Sequence, residues 1–160
     1  MDYADLLRTA TFLANYVDPT DLDGRPSEAN LRRSVSTAYY AAFHALSQSC
    51  ADTLVGPYSE DSNEEYWVAA YRTLEHRQVK NKLNNGERMT RFSDQVRDFA
   101  KRLGDLQDSR HRADYDPEAV LEQDDVLQLL INTQAAIEGF NAVPERERRF
   151  LAVYLIATLR

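Results

Sequence analysis

Four polar side chains recur along residues 31–46 at a spacing that could support chemistry. On a helix that advances about 100° per residue, Arg33, Thr37, Tyr40 and His44 fall on one narrow stripe. A polar stripe is typical of the solvated side of a surface helix, but Lys, Glu and Gln are the more usual residues on such a face. Tyr40 and His44, one turn apart, therefore indicate a partly buried groove or a subunit contact.

A second group of chemically active side chains lies further along the chain. Arg110 and Asp114 are four residues apart, so on a helix they can form an ion pair worth roughly 0.2–0.5 kcal/mol. Alternatively, Arg110, His111 and Arg112 form a compact cationic spot that, beside Tyr115, would hold a phosphate or phosphodiester. His111 would then act as an acid or a base, because the ordinary pKa of an imidazole lies near neutrality.

Helices must position both groups, because apolar residues recur at helical spacing and no segment alternates at the period of a strand. Turn and cap signals separate the apolar stretches. The helices are predicted over residues 2–16, 28–48, 63–83, 92–114, 121–140 and 144–159, with loops over 18–26 and 49–62. The fold class is therefore all-α, an up-and-down bundle of five or six helices in a single domain over residues 1–160.

The second to fifth predicted helices each have an inward face. In the second helix it holds Leu31, Val35, Ala38, Tyr39, Ala42 and Leu46. In the third it holds Tyr66, Trp67, Ala70, Tyr71 and Leu74. In the fourth it holds Val96, Phe99, Ala100, Leu103 and Leu106. In the fifth it holds Val126, Leu127, Leu130, Ile131, Gln134 and Ile137. The tail 150–159 is apolar on most sides and is expected to enter the core or to cover a second subunit.

Composition excludes several classes of protein. The 43% hydrophobic and 28% charged content is that of an ordinary globular domain. No run approaches the ~20 apolar residues of a membrane span, and the start of the chain lacks a secretory signal. Cys50 is the only cysteine, so an internal disulfide is impossible and a reducing cytoplasm is expected. Neither the motifs nor the three histidines indicate a metal or a cofactor.

The net charge of −7 argues against broad, non-specific binding to nucleic acid, which depends on neutralising phosphates with Lys and Arg. It leaves room for a local basic patch.

The two chemically active stretches together resemble the HEPN superfamily (higher eukaryotes and prokaryotes nucleotide-binding domain), above all its small stand-alone prokaryotic members. Residues 33–44 resemble that family's helix of the type Arg-Ser-Ala-Val-Ser-Arg-Ala-Tyr-Tyr-Ala-Ala-Phe-His, and the run Ala-Tyr-Tyr-Ala-Ala-Phe-His is identical at residues 38–44. The later signature Arg-x-x-Ala-Asp-Tyr-Asp is matched by Arg110, Ala113, Asp114, Tyr115 and Asp116.

The resemblance implies an up-and-down helical bundle, often a homodimer, with a polar groove where the second and fourth helices meet. It also implies a role in a toxin–antitoxin or defence pair, with a minimal nucleotidyltransferase antitoxin as partner. The family's metal-independent ribonuclease site places four to six residues between an Arg and a His. This sequence departs from that spacing: Arg72 and His76 have three residues between them, and Arg110 and His111 are adjacent.

Three functions are therefore considered. The leading hypothesis is a domain that binds a nucleotide, RNA or a partner protein through a groove lined by Arg33, Tyr40, His44, Arg110, Asp114 and Tyr115. The alternative is an endoribonuclease in which Arg110 stabilises charge while His44 or His111 transfers protons. The third is a purely structural module, held together by the Arg110–Asp114 pair and the tyrosines.

Overall fold

The computed structural model describes residues 2–20 and 22–157, and within these ranges it contains helices and no strand. The eight helices of the described residues are α1 (Tyr3–Asn15), α2 (Glu28–Val55), α3 (Glu64–Arg72), α4 (His76–Leu83), α5 (Gly86–Met89), α6 (Asp94–Tyr115), α7 (Gln123–Asn141) and α8 (Glu145–Ile156). The all-helical prediction is confirmed, and the predicted number of five or six helices is wrong. Within the described ranges, no helix has both the length and the apolar character needed to cross a bilayer.

The central helix is α2, which packs against α1, α3, α6, α7 and α8. Its predicted apolar face, from Leu31 to Leu46, is buried. Polar residues outside that face are buried as well, because neighbouring helices cover them. Ser34 is fully buried, and its hydroxyl donates to the Ala10 carbonyl of α1 across 2.8 Å. A helix that is covered on nearly all sides has no clear separation into an apolar and a polar face. This is why the end of α2 shows no helical periodicity in the sequence.

This burial explains why α2 runs seven residues beyond the predicted end, into the segment expected to be a loop. The polar residues there are compatible with a buried helix because their hydroxyls have partners: the helix's own carbonyls for Thr53, and Arg148, which donates to the Ser49 hydroxyl. Thr53 Oγ1, for example, donates to the Ser49 carbonyl across 2.8 Å. The helix ends at Gly56, whose φ of +103° favours glycine.

The single helix predicted over residues 63–83 is two helices, α3 and α4, separated by a short break. Leu74 lies in that break and is buried in the core. None of the residues of α3 is buried, and Tyr66, predicted to face inward, is 70% exposed. The predicted stop at residues 84–86 is confirmed, since α4 ends at Leu83.

The helix predicted over 92–114 is confirmed as α6, and its predicted inward residues from Val96 to Leu106 are buried. Phe99 on α6 stacks on Phe140 of α7, with ring centres 4.4 Å apart. In α7 the inward face differs from the prediction. Ile131 is 61% exposed and Gln134 is exposed, whereas Thr133 is fully buried and bonds to the Leu129 carbonyl across 2.7 Å.

The last helix, α8, buries one side only. Leu151, Ala152 and Leu155 are buried, whereas Phe150 is 54% exposed. The end of the predicted tail, residues 158 and 159, lies outside the described residues.

Candidate functional site

A row of polar side chains with a spacing of four residues runs along α2: Arg32, Ser36, Tyr40 and His44. Four residues advance about 400° on a helix, so each member is rotated by about 40° from the previous one. The row therefore winds slowly around α2. Its first members contact α6 and its later members contact α4 and α3.

The first member, Arg32, fastens α2 to the end of α6. Its guanidinium donates to the carbonyls of Ala113, Asp116 and Ala119, each across 2.8 Å. The last carbonyls of a helix lack partners within the helix, and a cation near them is favourable. Because Glu28 holds the same guanidinium, Arg32 fixes the final turn of α6 against α2.

Arg110 and Asp114 form the ion pair predicted from their spacing. Arg110 Nε lies 3.0 Å from Asp114 Oδ2, and the two side chains are 24% and 21% exposed. The other carboxylate oxygen of Asp114 accepts a hydrogen bond from Ser36 on α2. The pair is therefore anchored across the two helices.

The Arg110 guanidinium also lies over two aromatic rings of α2. Its carbon is 5.2 Å from the centre of the Tyr40 ring and 5.5 Å from that of Tyr39, which is cation–π distance. Among the described residues, no acceptor bonds to its two Nη groups. The Arg110 guanidinium is thus oriented by Asp114 through its Nε, while its two Nη groups are free to bind a ligand.

His76, at the start of α4, packs on the same aromatic group. Its Nδ1 lies 2.6 Å from the Tyr39 hydroxyl, and its ring centre is 3.8 Å from that of Phe43 and 6.1 Å from that of Tyr40. Burial, followed by the positive charge of Arg110, lowers the pKa of His76 below its ordinary value.

His44 makes a matching pair with Tyr71 of α3. The Tyr71 hydroxyl lies 2.5 Å from His44 Nδ1, and the two rings stack with centres 5.7 Å apart. Burial, with a contribution from His76, lowers the pKa of His44. Both imidazoles therefore favour the neutral form at pH 7, and neither Nε2 has a hydrogen-bond partner in the described part of the chain.

An aromatic column continues from His44 and attaches α3 to α2. Tyr71 stacks on Trp67, with ring centres 5.0 Å apart, and Tyr58 meets Trp67 edge-on at 5.3 Å. Trp67 Nε1 donates to Asp52 Oδ1 across 2.7 Å. Since no residue of α3 is buried, these half-buried rings and two polar bonds carry its attachment.

The structure unites some of the predicted site residues and separates others. Tyr40, His44, Arg110 and Asp114 belong to one cluster, which we call the Arg–His cluster and define as these four residues with Tyr39 and His76. Arg33 is exposed, and no side-chain contact in the described ranges joins it to that cluster. The ligand-binding role of Arg33 stays a prediction.

His111 and Tyr115 pack on each other at the end of α6, with ring centres 5.1 Å apart. Tyr115 is 66% exposed and His111 is exposed. No described contact links either residue to the Arg–His cluster. The role of His111 as an acid or base also stays a prediction.

Sequence reasoning missed the contributions of Arg32, Ser36, Tyr39, Tyr71 and His76. The four-residue spacing from Arg32 to His44 is a signal that could have found the first two. Tyr39 was predicted as core, which its burial confirms, but its hydroxyl also serves the site. No local signal marks His76, because the break that separates it from α3 contains neither Gly nor Pro.

The Arg–His cluster lies on a shallow surface and not in a deep pocket. Wider depressions, of about 560 Å³ beside Pro117–Asp124 and about 470 Å³ between α1 and α7, lie elsewhere. A small cavity of about 10 Å³ lies beside Tyr39 and His76. A shallow site of this kind suits a charged group presented by a larger ligand better than an enclosed small molecule.

Neither the arrangement of possible metal ligands nor the relation to known proteins assigns a further function to this site. In the described ranges no set of three or more His, Cys, Asp or Glu side chains is arranged to hold a metal ion. No protein-family model, curated protein or solved structure matches the chain.

Proposed function

We propose that this protein is a HEPN-like up-and-down bundle that binds a phosphate group of a nucleotide or of RNA at the Arg–His cluster. The observation that carries the proposal is the Arg110 guanidinium, which is fixed by Asp114 and the Tyr40 ring while its Nη groups are open. A guanidinium with two free N–H groups fits two phosphate oxygens.

The local charge supports this proposal in spite of the net charge of −7. Arg110 lies beside His76, whose imidazole offers a further hydrogen-bonding group. Affinity would then come from a few oriented donors and not from broad neutralisation of a phosphate backbone.

Titration tests the proposal directly. Inorganic phosphate, adenosine monophosphate and a short RNA are expected to shift the NMR signals of Arg110 and His76, and Arg110→Gln is expected to weaken binding about tenfold or more, as for a charge-assisted hydrogen bond. Lys101→Gln removes one positive charge from an exposed position of the same helix and is the matched control. Unchanged spectra at millimolar ligand would refute the proposal.

A metal-independent endoribonuclease is a second candidate. The observation that favours it is that folding brings His44 and His76 to the Tyr40 ring that Arg110 covers, although the family's Arg-to-His spacing is absent. One imidazole would remove the proton of the attacking hydroxyl, and the other would protonate the leaving oxygen.

Cleavage of RNA in the presence of a chelator tests this candidate. His44→Ala and His76→Ala should each abolish it, whereas loss with His111→Gln alone would assign the reaction to the end of α6. Intact RNA after prolonged incubation would eliminate the nuclease and leave the binding proposal in place.

The HEPN resemblance also underlies a proposal about assembly. It supports a cytoplasmic homodimer that acts with a nucleotidyltransferase antitoxin in a toxin–antitoxin or defence pair. Sedimentation of the purified chain tests the dimer, and co-purification with a nucleotidyltransferase encoded by a neighbouring reading frame tests the partner. If the chain is instead a structural module, Arg110→Gln will lower stability and change no binding.

A further inference from the structure

The hydroxyl of Tyr39 is buried and has one acceptor within reach. Tyr39 is 1% exposed, and among the described residues His76 Nδ1, at 2.6 Å, is the partner of its hydroxyl. Burial raises the pKa of Tyr39 to about 12, opposed by the charge of Arg110, so the phenol keeps its proton at neutral pH. The adjacent cavity of about 10 Å³ is at the lower limit for a single water molecule.

A buried hydroxyl that donates to nothing costs about 1–3 kcal/mol. The phenol therefore donates to His76 Nδ1, and that nitrogen is the acceptor. A neutral imidazole that accepts at Nδ1 carries its hydrogen on Nε2. Nε2 has no partner in the described part of the chain, and the residue as a whole is exposed although part of its ring is buried. This N–H is therefore free to bond to a ligand.

We propose that Tyr39 holds His76 as the Nε2–H tautomer, and that this N–H acts with the free Nη groups of Arg110 to recognise one oxyanion group of the phosphate type. The inference rests on the proposed phosphate site and deepens it, since it assigns a second donor and its source.

The positions of the two donors support a shared ligand. The Arg110 guanidinium carbon and the His76 ring centre lie 5.2 and 6.1 Å from the centre of the same Tyr40 ring. The same two groups lie 5.5 and 5.6 Å from the centre of the Tyr39 ring, so they are near each other. Two neighbouring donors, the Arg110 Nη groups and the His76 Nε2–H, favour a group that offers acceptor oxygens, as phosphate and phosphodiester do.

The tautomer also limits the chemistry of His76. A neutral ring with hydrogen on Nε2 can donate outward, but that nitrogen has no free lone pair to remove a proton. His76 is therefore a binding group in this state and not an outward-facing general base.

The test is an NMR measurement on the full chain labelled with ¹⁵N-histidine at pH 7.5. Long-range ¹H–¹⁵N correlation is expected to show His76 with an unprotonated Nδ1 and a protonated Nε2, with assignment by His76→Ala. Tyr39→Phe removes the donor and is expected to release the ring into both tautomers. Tyr71→Phe makes the same change at the His44 pair and should leave the His76 tautomer unchanged.

Phosphate titration of the same samples tests the role of the donor. Losing one neutral hydrogen bond corresponds to roughly fivefold weaker binding, which is expected for His76→Ala. Tyr39→Phe leaves the Nε2–H form as one of two tautomers and is expected to weaken binding by less. Tyr66→Phe, at an exposed position outside the cluster, is the control. Circular dichroism checks that Tyr39→Phe is folded; if it is not, His76→Ala provides the affinity measurement.

Each result has a distinct meaning. A protonated Nδ1 on His76 in the unmodified chain would overturn the inference. The expected tautomer with phosphate affinity unaffected by His76→Ala would overturn the donor role while leaving the phosphate site at Arg110. Absence of phosphate binding to the unmodified chain would refute the proposed function itself, and with it the ligand assigned to His76.

Discussion

The guanidinium carbon of Arg110 lies 5.2 Å from the centre of the Tyr40 ring. This contact joins α6 to α2 at the point where the Asp114 carboxylate binds Arg110 with one oxygen and Ser36 with the other. The two chemically active stretches of the sequence are therefore parts of one surface, although they lie on separate helices.

Replacing Arg32 by Gln should destabilise the protein by about 2–4 kcal/mol, because several charge-assisted hydrogen bonds to part-buried carbonyls would be lost. Its donors reach Ala113, Asp116 and Ala119 at 2.8 Å. Urea unfolding provides the measurement. Arg33→Gln, at the exposed neighbouring position, should change stability by no more than about 0.5 kcal/mol. Equal losses in both variants would contradict the assigned role of Arg32.

The contrast between Arg32 and Arg33 shows how far the sequence could predict this site. Periodicity identifies the buried side of α2 correctly, because apolar residues such as Val35 and Leu46 leave little choice. It cannot tell which of two adjacent arginines meets another helix. That depends on where the α6 carbonyls end. The predicted polar stripe starts with Arg33 and Thr37, whereas the residues that contact α6 are their neighbours Arg32 and Ser36.

The sequence predicted helix ends and inward faces less well where a helix is covered on all sides, as at the end of α2, or buries no residue, as in α3. The end of α2 was predicted as a loop because buried Ser and Thr residues resemble loop residues when their intrahelical bonds are not known. The face of α3 was predicted as core because Trp67 and Tyr71 are large, yet they serve as half-buried contacts to Asp52 and His44. The separation of His76 from α3 had no sequence signal.

Stability is expected to fall as the pH drops below about 6.5, the ordinary pKa of histidine. The pKa values of His44 and His76 are lowered in the folded chain by burial, so between the unfolded and folded pKa values the unfolded state binds more protons. The free energy of unfolding therefore rises with pH through that window. The contribution of the two neutral histidines is complete above the unfolded pKa and is lost as the pH falls to the folded pKa values. Urea unfolding at a series of pH values provides the measurement.

The histidines responsible can be identified with single variants. His76→Gln should flatten the pH dependence, and His111→Gln, a change at an exposed ring, should leave it as it is. A dependence that survives the removal of both His44 and His76 would show that other groups cause it.

We expect α3 to open more readily than the rest of the fold, because none of its residues is buried. Hydrogen exchange should be faster in α3 than in the centre of α2, which the other helices cover. Tyr71→Phe removes the bond to His44 and should accelerate exchange in α3 further. The same change should shift the emission of Trp67, the only tryptophan, to longer wavelength. Equal protection of α2 and α3 would contradict this picture.

Asp114→Asn separates the binding proposal from a purely structural role for the ion pair. Asn keeps the size of the side chain and can still accept a hydrogen bond from Ser36, but it removes a negative charge next to the Arg110 guanidinium. If phosphate binds the free Nη groups, loss of that charge should strengthen its binding, because the carboxylate repels the anion. In the same titration, Arg110→Gln should weaken phosphate binding.

Opposite changes in phosphate affinity for Asp114→Asn and Arg110→Gln would show that the ion pair belongs to a phosphate-binding site and modulates its affinity. A purely structural pair predicts a different pattern, in which both variants lower stability and neither changes the response to phosphate. Because Arg110 and Asp114 are only 24% and 21% exposed, both variants should be compared at a temperature where circular dichroism shows each to be folded. An affinity that falls equally in the two variants would contradict the proposed site.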